Sequence, residues 1–109
     1  MKKSEINWKS GEVVFWDIDD LDINRSIDSQ LDIIENDLKE DLVYVRFGDA
    51  IILDLGWYPE FSIQGKFVLM VVKDEDWENP ILKLGFRNTG EFMRNLSQAI
   101  AVADKASRV

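Results

Sequence analysis

The chain has 109 residues, which suits one domain, residues 1–109, around one core. It contains no cysteine and no histidine, which excludes disulfides, thiolate or imidazole metal sites such as zinc, and catalysis through a histidine base. A net charge of −8 argues against direct binding to nucleic acid or to an anionic membrane.

The start, Met1-Lys2-Lys3-Ser4, is basic, but no apolar stretch follows it as a secretion signal requires. The longest apolar run, Phe67 to Val72, is far short of a bilayer span, so a cytoplasmic location is expected. Ile6-Asn7-Trp8 and Glu12 to Asp17 read as two short strands around a Lys9-Ser10-Gly11 turn. Residues 26–39 read as one amphipathic helix. Ile27, Leu31, Ile34 and Leu38 form its stripe, and Ser26 is the expected N-cap.

Leu42 to Phe47 alternates between apolar and polar faces, and Gly48-Asp49 separates it from a second strand, Ala50 to Leu55. Lys66 to Lys73 is almost wholly apolar inside and predicts a central strand covered on both faces. Pro80 to Phe86 alternates again. Asn88 opens the last helix with Glu91 in the capping-box position. Phe92, Met93, Leu96, Ile100 and Ala103 form its buried stripe. The order β-β-α-β-β-β-β-α predicts an α+β fold: a single antiparallel sheet of five to six strands with two helices packed on it.

Charge is concentrated in one place. Residues 17–41 hold ten acids against two bases, Arg25 and Lys39, and so carry the whole net charge. The other 84 residues hold eleven acids and eleven bases. Such a one-signed block speeds encounter with a partner of opposite sign, here a basic protein.

No catalytic, cofactor or metal site is expected. Val13 to Leu21 resembles the strand-end D-x-D of haloacid-dehalogenase phosphatases, with Asp17 and Asp19 as the pair. Those enzymes need a doubly wound parallel sheet and further Lys and Asp motifs, which this chain lacks. Read as a calcium loop, Asp17, Asp19 and Asp28 would stand at positions 1, 3 and 12. Position 6, where the sharp turn requires glycine, is Asp22. The glycines occur singly, so no phosphate-cradling loop is present. In Gly56-Trp57-Tyr58-Pro59-Glu60-Phe61, and in the acidic loop around Trp77, the aromatic residues either cap the core or serve as contact anchors.

Three stretches carry a resemblance: Leu53-Asp54-Leu55-Gly56-Trp57-Tyr58-Pro59-Glu60, then Gly65-Lys66-Phe67, then Asp76-Trp77-Glu78-Asn79-Pro80. Over about the middle third of its length the chain resembles small bacterial immunity proteins of contact-dependent growth inhibition systems. That resemblance implies a non-enzymatic cytoplasmic protein that binds and neutralises one cognate toxin, often a nuclease. The acidic block agrees with such a target. The expected partner-binding residues are Asp17, Asp19, Asp20, Asp22, Asp28, Asp32 and Glu35, with Trp57, Tyr58 and Trp77 as apolar anchors. The alternative is a non-enzymatic adaptor or regulatory module that binds a basic partner.

Overall fold

Alternating side chains set the architecture. In β2 (Val43–Phe47), Val43, Val45 and Phe47 are buried while Tyr44 and Arg46 face the other way. In β3 (Ile51–Tyr58) the buried set continues with Ile51, Leu53, Leu55 and Trp57. In β4 (Lys66–Lys73) it is Phe67, Leu69 and Val71, and β5 (Leu82–Phe86) adds Phe86. With β1 (Glu12–Trp16) these strands form a fully antiparallel five-stranded meander in the order β1-β2-β3-β4-β5. The computed structural model describes all 109 residues.

Both helices, α1 (Leu31–Asp37) and α2 (Phe92–Ser107), bury their apolar side chains against the same face of the sheet. One cluster of 22 buried residues unites that face with Ile34 of α1, with Phe92, Leu96, Ala99, Ile100 and Ala103 of α2, and with Ile18, Leu21 and Ile27 from the loop before α1. At its centre Phe67 packs edge-on against Trp57 and Phe92, with ring centroids 4.9 and 5.5 Å apart. The α+β class and the single antiparallel sheet are therefore as the sequence predicts.

Five expectations need correction. Ile6–Trp8 is not a strand. A 3₁₀ turn at Lys3–Glu5 precedes it, and the Asn7 side chain accepts from the Lys9 N–H at 2.9 Å, a local turn that competes with strand pairing. β1 is thus an edge strand. Its register shifts between Val13 and Phe15, so Val13 and Trp16 both reach the core side while Phe15 faces outward.

Second, the helix expected over 26–39 is two pieces, a 3₁₀ turn at Ile27–Ser29 and α1, broken at Gln30. Gln30 is buried and knits the preceding loop together. Its Oε1 accepts from the Asp22 N–H at 2.9 Å, and its Nε2 donates to the carbonyls of Asp22, Arg25 and Ser26. The break rotates Leu31 out of the stripe into solvent, and the Ser26 side chain caps nothing.

Third, β3 runs through Gly56 and Trp57 rather than stopping at Leu55, so Trp57 is a fully buried core residue and not a surface anchor. Its indole N–H donates to the Ser62 carbonyl at 2.8 Å, which satisfies the one polar atom that burial would otherwise leave unpaired. Only glycine fits at position 56, because a Cβ there would run into the Glu40 carbonyl oxygen.

Fourth, β4 is covered fully on one face and only in part on the other, where Val72 is buried. Val68 and Met70 lie on the same outward face, partly buried, and belong neither to the core nor to the side chains packed against it. Fifth, the Asn88–Glu91 capping box does not close. Asn88 accepts from the Gly90 N–H at 2.7 Å, opening a 3₁₀ turn ahead of α2, while Glu91 pairs with Arg94.

Candidate functional site

At the end of β1 the chain leaves the sheet through a loop anchored by alternation. Ile18 and Leu21 are buried, and Asp19 and Asp20 between them point into solvent. The Asp17 N–H holds the exit by donating to the Leu42 carbonyl at 2.8 Å. The Met1 amino group ties the loop from the other side, donating to the carbonyls of Asp19 and Leu21 at 2.8 and 3.1 Å. Between this loop and α1 lies a recess of about 280 Å³. Its floor is apolar, formed by Trp16, Ile33 and Leu38, and its rim carries four carboxylates, Asp17, Asp19, Asp20 and Asp37.

Little of this charge is neutralised within the chain. Asp17 pairs with Lys39 at 3.2 Å, but both side chains are about half exposed, so the pair is worth little. Asp19 accepts from the Trp16 indole N–H at 2.6 Å, a neutral donor. Asp20 and Asp37 have no ion-pair partner. The carboxylates therefore surround an apolar floor with their field directed outward. No group of three or more His, Cys, Asp or Glu side chains is arranged to hold a metal ion.

The structure divides the other predicted contact residues. Asp22 accepts from the Asn24 N–H at 2.9 Å in a local turn of the loop. Asp28 is held by Arg87 at 2.6 Å, away from the recess. Asp32 and Glu35 lie on the exposed side of α1, unpaired, and extend the acidic surface beyond the rim. Tyr58 is exposed at the end of β3 on the opposite face of the sheet. Trp77 is also exposed, but it sits in the β4–β5 turn at the far end of the sheet from the acidic loop. The two aromatic residues and the acids thus do not form one patch.

Two residues escaped the sequence reading. Asp37 completes the rim because it lies one turn after Ile33 on α1, a spacing that becomes informative once the helix register is known. Asp54, in the run Ile51-Ile52-Leu53-Asp54-Leu55, faces outward from the middle of the sheet. Burial, reinforced by the negative charge of Asp41, pushes its carboxyl up to about 6. The same surroundings raise the Tyr58 hydroxyl, through burial first and then Asp54, Glu40 and Asp41. Asp54, Asp41, Tyr44 and Phe15 line a second, shallower recess of about 350 Å³ on that outward face.

Compared with family models, curated proteins and solved structures, the chain matches none.

Proposed function

We propose that the chain is a protein inhibitor that covers the basic surface of its target, and specifically an immunity protein that neutralises a cognate nuclease toxin of a contact-dependent growth inhibition system in the cytoplasm. The observation that carries this reading is the acid-rimmed recess. Asp17, Asp19, Asp20 and Asp37 surround apolar floor at one end of a molecule whose remaining charge balances, and only Asp17 has a cation of its own. A lysine or arginine entering the recess would bury its aliphatic stem on Trp16, Ile33 and Leu38 and set its charge among the carboxylates. A nuclease presents such cations where it grips phosphate, so occupying them would displace substrate. Asp32 and Glu35 widen the field that steers the encounter.

The test is co-purification from cells that also express the neighbouring gene, followed by RNA and DNA degradation with and without this chain. The expected result is a stable complex in which degradation is suppressed. A captured partner that degrades nucleic acid equally fast in the complex would overturn the reading.

A further inference from the structure

Phe15, Tyr44 and Asp54 stand in one cross-strand row on the outward face, on β1, β2 and β3. The register shift between Val13 and Phe15 turns the Phe15 ring to this side, where it is 43% exposed although large and apolar. Tyr44 lies beside it, partly buried, and Asp41 enters from the segment before β2. Together with Leu42, Val43 and Asp54 they line the shallow recess of about 350 Å³. Two rings and two carboxylates thus meet in one concavity.

The chain itself leaves these carboxylates without a cation. Neither Asp41 nor Asp54 has an ion-pair partner. Arg46, two residues after Tyr44 on the same face of β2, is held by Glu12 at 3.0 Å. Lys83 shares the row but stands two strands from Asp54, about 10 Å away at ordinary strand spacing. Asp54 is half-buried, so water compensates its charge only in part, which is why its carboxyl is raised to about 6.

We propose that this recess receives one arginine side chain of a protein partner, its guanidinium stacked on Phe15 and Tyr44 and paired with Asp54 and Asp41. A guanidinium is flat and weakly hydrated, with a fork of N–H donors at its edge, so it matches rings and carboxylates at once. An ammonium would pair with the carboxylates and gain less from the rings. The shallowness of the recess favours a side chain over a free small molecule, which would stay largely in water there. The site is separate from the acid-rimmed recess. The hydrogen bond from the Asp17 N–H to the Leu42 carbonyl lies between them, with Asp17 lining one and Leu42 the other. The inference rests on the proposed basic partner only for the source of the arginine.

NMR titration of the full chain alone with N-acetylarginine amide, at neutral pH and constant ionic strength, tests the proposal. N-acetylcitrulline amide serves as an uncharged probe of nearly the same shape. The arginine probe should shift the ring resonances of Phe15 and Tyr44 and bind with a Kd on the order of 1 mM. The citrulline probe should bind about tenfold or more weakly. Bound arginine should also draw the Asp54 carboxyl down from about 6, with Asp41, Tyr44 and Tyr58 as its titratable neighbours. Phe15→Ser and Asp54→Asn, at positions outside the core, should each weaken binding by about threefold or more. The proposal is overturned by no binding in the millimolar range, or by shifts confined to the surroundings of Asp17, Asp19 and Asp37. It is equally overturned by citrulline binding as tightly as arginine, or by either variant binding like the native chain. No toxin is present in this experiment, so its failure and that of the inhibitor reading are distinguishable.

Discussion

Asp54 lies in the middle of a sheet strand with apolar neighbours along the chain, and its surroundings oppose its charge. Its carboxyl is raised from 3.8 to about 6, chiefly by burial and then by Asp41. For an acid raised in the folded state, the associated stability is fully present below pH 3.8 and is lost as the pH climbs through about 6. Asp54→Asn should therefore stabilise the single chain above pH 7 by about 1–2 kcal/mol, allowing for solvent screening of a half-buried group, and the gain should vanish near pH 4. Urea unfolding at the two pH values measures this. An equal gain at both would show that packing, not ionisation, is responsible. Trp57 makes the complementary point. Its burial follows from the two-residue alternation once β3 is known to continue past Gly56, yet glycine and a following proline in the sequence suggested a strand end. What carries the strand on is its pairing with β4 as far as Tyr58 and Lys66, and glycine at 56 leaves room for the Glu40 carbonyl, contacts between distant segments that no local pattern reveals.

Among the elements, those with sustained periodicity were legible and those held by side-chain hydrogen bonds were not. β4 was located residue for residue because its apolar run is long and bounded by lysines. α2 was recognisable from Phe92, Leu96, Ile100 and Ala103. The region of α1 carried a helical stripe too, but Gln30 overrides it by bonding four backbone groups of the loop before it. Gln30→Ala should cost about 2 kcal/mol, because it removes these hydrogen bonds from a buried position and leaves the Asp22 N–H without its acceptor. Leu31→Glu, at a position the stripe marked as core, should change stability by less than about 0.5 kcal/mol. Denaturant midpoints distinguish the two, and the opposite order would restore the single helix. Phe92→Ala should cost about 3–5 kcal/mol, since the ring packs against both Phe67 and Phe86 where α2 meets the sheet. How far the outward face of the sheet is covered was not legible, because an apolar run such as Phe67 to Val72 looks the same whether its second face is fully or only partly buried.

At the scale of the whole molecule, the chain has two different surfaces. One end, between β1 and α1, carries unneutralised carboxylates around apolar floor. The outward sheet face shows the partly exposed Val68 and Met70 of β4, with Asp54 on β3 and Lys83 on β5 to either side of Met70. The location of the acidic block could be read from residue counts alone, but its shape could not, because the rim depends on how Ile18, Leu21 and Leu38 anchor the backbone beneath it. The most direct measurement is the association rate of the captured partner with the native chain and with an Asp19→Lys, Asp20→Lys, Asp37→Lys variant, at low and high salt. The carboxylate rim predicts a rate that is about tenfold or more lower for the variant at low salt, with the two rates converging as salt screens the field. Equal rates for the two proteins at low salt would contradict it.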